Sequence, residues 1–208
     1  MSAGSAPRGS LFVIAAPSGA GKTSLVKAVL DRDPSLRVSI SHTTRKQRPS
    51  EVPGRDYHFI STDEFKRLRD AGEFLEHAQV FDNFYGTGRA QVEALRTAGH
   101  DVILEIDWQG ARQVRAAQPD CKTVFILPPS RRELEARLRN RKTDSDEVIA
   151  RRLRDCIADM SHYAEFDCVI VNEDFERAVR ELLDVLQGSP DYGSGRASLK
   201  PLVADLLG

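Results

Sequence analysis

Cysteine is scarce: Cys121, Cys156 and Cys168 are the only three, widely spaced and with no C-x-x-C pair. Such a set makes neither a zinc ligand group nor a redox pair, and reads as three small apolar residues in a reducing compartment. No one charge is in excess either. Lys and Arg number 30 against 31 Asp and Glu, so no overall basic field invites nucleic acid or anionic lipid. Long hydrophobic runs are missing. The first apolar stretch, residues 11–16, is too short for a bilayer span or a secretory signal, and "MSAGSAPRGS" before it is small and polar. This points to a cytoplasmic protein with no membrane or nucleic-acid partner. There is also no internal repeat. Any anion chemistry must therefore be local.

What is present is an alternation of element types. Residues 11–16 read as a buried strand, and 22–30 as a helix with Leu25, Val26 and Val29 turned inward. Residues 37–61 give short alternating strands broken by Pro49, Pro53 and Gly54. Residues 61–72 carry the cap signature Ser61-x-x-Glu64 and a stop at Gly72, and another helix over 88–98 ends at Gly99. Strands follow within 101–107, 121–130 and 166–174, with an arginine-rich helical stretch over 131–155. The tail begins loose and ends in a short amphipathic piece, 199–207. Apolar strands alternating with helices predict an α/β fold whose parallel sheet is flanked by helices.

Between the first strand and first helix stands "APSGAGKT", residues 16–23. It fits the phosphate-loop pattern G-x-x-x-x-G-K-S/T except at its first position, where Ala16 replaces Gly. Gly19 and Gly21 let backbone N–H groups turn inward around an anion, and the helix start adds its positive end. Lys22 can reach the β- and γ-phosphates of a triphosphate, and the Thr23 hydroxyl can ligate Mg²⁺. The expected ATP contacts are thus Ala16, Pro17, Ser18, Gly19, Ala20, Gly21, Lys22 and Thr23. "DWQG" (107–110) fits the D-x-x-G of GTPases, and "VNED" (171–174) faintly their N-K-x-D. The Lys of the latter is missing, which makes a GTPase switch a poor second reading.

A second cluster spans "SISHTTRKQRPSEVPGRDYHF" and "EFLEHAQVFDNFYGTG". Arg45 and Arg48, three apart, offer forks suited to bidentate phosphate contact, and Tyr57 and Tyr85 can complete an oxyanion's hydrogen bonds. Ser41, Thr44, Glu76 and Thr87 lie among them.

These blocks, with "LEIDWQGARQV", "RLRNRKTDSDEVIARRL" and "VIVNEDFERAV", resemble the bacterial guanylate kinases along nearly the whole chain. The resemblance implies a P-loop NTPase core (1–37, 96–130 and 156–208), an inserted GMP-binding subdomain (38–95) and a helical lid (131–155), together one domain over about 9–190. It implies transfer of the γ-phosphoryl of ATP to GMP, and dGMP, with Mg²⁺, in purine nucleotide metabolism and GMP recycling. By the same resemblance Arg45, Arg48, Tyr57 and Tyr85 hold the GMP phosphate. Ser41, Glu76 and Thr87 face the guanine, and Asp107 lies near the base and the metal. Arg137, Arg141 and Arg152 close over the transferring phosphate. The family usually has a small residue or Gly where Lys142 stands, at the hinge of the lid. Asn172, at a strand's end, is either an adenine contact or a turn former.

The chemistry of Glu76 agrees with that placement. A carboxylate only accepts, and guanine presents a ring N–H and an exocyclic amine on one edge where adenine presents a lone pair. A non-catalytic, peptide-binding relative of the fold is disfavoured by the intact Lys22, Thr23, Arg45, Arg48 and Glu76. A kinase of another nucleoside monophosphate is disfavoured by the guanine-edge residues. Oligomeric state is left open by the sequence.

Overall fold

The computed structural model describes residues 7–80, 82–139, 146–189 and 199–208. Its chain divides into two compact units, one built from residues up to Val13 and Pro34–Lys122, the other from Ile14–Asp33 and Thr123–Gly208.

In the first unit, β1 (Leu11–Ala15) contributes its leading residues beside β2 (Arg37–Val38) and β7 (Val102–Glu105). β2 runs parallel to β7, pairing Arg37 with Val102 and Val38 with Ile103. Val102, Ile103 and Leu104 are buried on both faces, as parallel strands covered by helices require.

A second sheet follows the order β4-β3-β6-β5, from β3 (His42–Thr43), β4 (His58–Phe59), β5 (Phe74–Val80) and β6 (Asn83–Gly88). It is mixed: β3 lies parallel to β4 and antiparallel to β6, and β5 and β6 form an antiparallel hairpin. The short strands expected over 37–61 are present, but the hairpin was not legible in "FLEHAQVFDNFYGTG". Its apolar residues fall into no long run.

α2 (Thr62–Asp70) starts as its cap signature predicts, with Ser61 Oγ accepting from Glu64 N at 3.1 Å. α3 (Arg89–Thr97) ends at Gly99, φ 84°, and α4 (Trp108–Ala117) starts at an Asp107 cap.

One buried arginine ties this unit together. Arg96, on the last turn of α3, is only 2% exposed. Its Nε donates to Gly9 O at 2.8 Å, one terminal nitrogen to Gln118 Oε1 at 3.0 Å and the other to Asp120 Oδ2 at 2.6 Å. Arg96→Met would leave the Gly9 carbonyl and the Gln118 amide without their donor while keeping most of the aliphatic volume. The expected loss is about 2–4 kcal/mol of unfolding free energy, read from the urea midpoint; a loss below about 0.5 kcal/mol would show that water substitutes freely.

In the second unit β8 (Lys122–Leu127) runs parallel to β9 (Cys168–Val171), and Val124, Phe125, Ile126 and Leu127 are buried. α1 (Lys22–Arg32) buries Leu25, Val26 and Val29, the face its spacing predicts. α7 (Phe175–Leu186), capped by Asp174, buries Ala178, Val179, Leu182, Val185 and Leu186, a continuous helical stripe. The arginine-rich stretch forms α5 (Arg131–Arg139) and α6 (Asp146–Met160), and the tail ends in α8 (Lys200–Leu207). Among the described residues, no helix is long and apolar enough to cross a membrane.

Candidate functional site

The loop after β1 is shaped by two glycines in the left-handed region, Gly19 at φ 91° and Gly21 at φ 94°. Pro17 is buried and its carbonyl accepts from Ala20 N at 3.2 Å, while Ala16 and Ser18 are half-buried. Lys22 is the first residue of α1 and Thr23 the second, so both stand at the positive end of the helix.

Three other elements of the same unit grip this loop. At Gly19, α5 presses Leu134 Cδ1 and Leu138 Cδ2 to 3.1 and 3.3 Å of where a Cβ would stand. At Ser18, α6 brings Cys156 Sγ to the carbonyl at 3.2 Å. At Ala20, the chain leaving β9 supplies Asn172, whose Nδ2 donates to the carbonyl at 2.7 Å. That same Nδ2 lies 2.4 Å from the position of a Gly21 Cβ. Asn172 is 5% exposed, and its own N–H bonds Leu127 O at 2.8 Å. The side-chain amide of Asn172 is thus engaged with the loop backbone, a contact that neither expectation for this residue named.

Arg137, on α5, donates from Nε to Glu133 Oε1 at 3.0 Å and from a terminal nitrogen to Asn172 O at 3.4 Å. Arg152 is half-buried on α6, where Ile149 is buried and Leu153 half-buried. Arg141 and Lys142 lie outside the described residues.

The first unit holds the arginine and tyrosine cluster. Thr43 Oγ1 accepts from Arg45 N at 3.1 Å and donates to Phe84 O at 3.0 Å, while Thr44 Oγ1 accepts from Phe84 N at 2.9 Å. The two threonines thus fasten the start of the arginine turn to β6. Within the turn, Glu51 organises both arginines. Its Oε1 accepts from Arg45 at 2.6 Å, its Oε2 from Arg48 N at 2.8 Å, and Arg48's guanidinium stands 3.7 Å away. Burial opposes the charge on both Arg45 and Glu51, yet their mutual hydrogen bond and attraction prevail, raising the arginine and lowering the carboxyl. Glu51 was not singled out from sequence. The available signal was an acid three residues after Arg48 on a Pro-containing turn.

Tyr57 lies under this cluster, with Arg45 5.4 Å from its ring centre and the Tyr85 ring edge-on at 6.0 Å. Burial, with the charge of Glu105 added, pushes the Tyr57 phenol up to about 12, so its hydroxyl remains a donor at neutral pH. Burial beside His58 lowers His42, leaving a neutral imidazole.

Glu76 is 3% exposed on β5, directly across from Thr87 on β6. Thr87 Oγ1 donates to Glu76 Oε1 at 2.5 Å. Tyr85 and Thr87 share one face of β6, about 7 Å apart along the strand. The β3–β6 register, continued back by one residue, brings Ser41 level with Thr87. Of the residues expected at the base, Glu76 and Thr87 thus face each other on neighbouring strands, and Ser41 stands just before β3. Asp107 caps α4: Oδ1 accepts from Gly110 N at 2.8 Å and Oδ2 from Gln109 Nε2 at 3.0 Å.

A strand, a glycine-turned loop ending in Lys-Thr and a helix, in an α/β chain with parallel strands, define a P-loop protein. Residues 8–189 match the guanylate kinase family profile, and the chain belongs to that family. It is 55% identical over 202 residues to the guanylate kinase of Methylococcus capsulatus, covering 97% of this chain and 99% of that one. To the guanylate kinase of Pseudomonas fluorescens Pf0-1 it is 49% identical over 201 residues, 96% and 98% of the two chains. The crystal structure of guanylate kinase from Anaplasma phagocytophilum superposes with a TM-score of 0.74 at 33% identity, over 93% of this chain and 94% of the other.

Proposed function

We propose that this chain is a nucleoside monophosphate kinase that transfers the γ-phosphoryl of ATP to GMP, giving ADP and GDP. The observation that carries the choice of acceptor is Glu76, a buried carboxylate fixed by Thr87 in the sheet whose strands and adjoining turn also carry two arginines and two tyrosines. Guanine's two donors satisfy that carboxylate; adenine leaves it facing a lone pair, a mismatch worth about 1–3 kcal/mol or more for a charged group.

An oxygen of the GMP phosphate attacks the γ-phosphorus, and the bond to the β,γ-bridging oxygen breaks as ADP leaves. That oxygen is already ionised near neutral pH, so no general base is needed. What the transfer requires is in-line placement and neutralisation of charge on the moving group. Arg45, Arg48, Tyr57 and Tyr85 hold the acceptor phosphate, and Ser41, Glu76 and Thr87 read its base. The loop from Ala16 to Thr23 cradles the donor phosphates, with Lys22 on the β- and γ-oxygens. Arg137 and Arg152 supply positive charge to the group in flight, Arg137 from beside the loop it already adjoins. Asn172 serves the donor site by holding the Ala20 carbonyl.

Among the described residues no three His, Cys, Asp or Glu side chains group to hold a metal. Mg²⁺ takes few protein oxygens and is held mostly by substrate phosphates and water. Thr23, exposed at the start of α1, has the hard hydroxyl donor that such an ion accepts. When bound, Mg²⁺ neutralises charge on the β- and γ-phosphates. We also place the protein in the cytoplasm, in keeping with three buried cysteines that form no disulfide.

A coupled ADP-release assay offering GMP, dGMP, AMP, UMP and dTMP separately tests the assignment. GMP is expected to turn over best, with dGMP next; fastest turnover with AMP would reject the base reading.

A further inference from the structure

Gly110 is the third residue of α4 and is buried. Glycine is a poor helix former, and a first turn gives no reason of its own to use it. Its backbone gives none either, because Gly110, unlike Gly19 and Gly21, does not have a positive φ. What demands glycine here is space. A Cβ at this position would stand 2.4 Å from Glu76 Oε2 and 3.0 Å from Glu76 Cδ, with Ile106 Cδ1 at 3.2 Å.

Neither side can easily retreat. Glu76 is held at Oε1 by Thr87 and is almost wholly enclosed. The helix is stitched to β5 one residue further on: His77 N donates to Gln113 Oε1 at 3.1 Å, and Gln113 Nε2 donates to His77 O at 2.7 Å. Asp107 pins Gly110 N–H from the other side.

We infer that Gly110 is a positioning residue for base selection. Its missing side chain lets α4 lie against β5 closely enough that the Glu76 carboxylate keeps the orientation in which it accepts from a base edge with two N–H donors. The inference rests on the base-reading role of Glu76. A methyl group at 110 turns the carboxylate away from Thr87 and from the base, without touching the phosphate-holding residues.

The test is a double-mutant cycle on the full chain, read as KM and kcat for GMP at saturating ATP. Gly110→Ala is expected to raise the KM for GMP roughly tenfold or more while kcat at saturation falls less than about threefold. In a Glu76→Ala background, where no carboxylate stands in the way, the same substitution should change that KM by less than about twofold. An equal cost in both backgrounds, or an unchanged KM for GMP in the single variant, overturns the inference while leaving the base reading intact. If instead Glu76→Ala itself leaves the KM for GMP unchanged, the base reading fails and the inference with it. Should Gly110→Ala not fold, Glu76→Ala/Gly110→Ala is expected to recover folding, and its failure to do so likewise overturns the inference.

Discussion

Lys22→Met is expected to lower kcat about 1,000-fold, with the protein still folded and GMP binding retained. Lys22 opens α1, at the end where helix N–H groups and the loop's inward-turned amides already favour anion. Those backbone donors remain in the variant, so ATP still binds. On the proposed assignment, what is lost is the lysine charge on the β- and γ-oxygens, which the arginines of α5 and α6 then have to replace. The Met side chain keeps the length of the stem, which separates the charge from the packing. The coupled assay at saturating ATP and GMP gives the result directly; a kcat within about tenfold of the parent would mean that the arginines of α5 and α6 carry the stabilisation without it.

Glu76→Gln should lower kcat/KM for GMP about 100-fold while leaving the KM for ATP unchanged. The two side chains have nearly the same shape, so the hairpin and the contact with Gly110 are preserved. But an amide replaces one acceptor by a donor, which meets the guanine donors head-on, and it removes the charge from a site 3% exposed to water. Thr87 can re-aim its hydroxyl, so the pocket itself loses little. Kinetics with GMP equal to those of the parent would falsify the base-reading role, whatever the assay shows for other nucleotides.

The parts of these sites that could be read from sequence are the ones whose chemistry is local. The loop over residues 16–23 declares itself because glycines, lysine and threonine must fall at fixed spacing between a strand and a helix. The Ser61 cap and the stops at Gly72 and Gly99 are equally local, and the helices begin and end there. What was not legible depends on residues far apart in the chain. Gly19 looked like a backbone requirement alone, yet Leu134 and Leu138 also pack where its side chain would be. Gly110 stands in "DWQG" and in "LEIDWQGARQV", and neither pattern tells that its lack of a side chain leaves room for Glu76 on β5. Asn172 was balanced between an adenine contact and a turn, and only the folded chain brings its amide to the Ala20 carbonyl. Glu51 sat inside a recognised block without a role, because an acid beside two arginines has no direction until the turn is built.

The residues proposed for the two ends of the acceptor are held in different ways. Glu76 and Thr87 belong to a hairpin whose pairing runs from Phe74 and Gly88 out to Val80 and Asn83. Arg45, Arg48 and Tyr57 hang instead from β3 and β4, each only two residues long, and from a turn closed by its own side chains. On the proposed assignment, the base of a mononucleotide meets groups carried by paired strands, and its phosphate meets groups carried by a turn. Such a division would leave the identity of the base to a backbone ladder and the charge of the phosphate to side chains that brace one another.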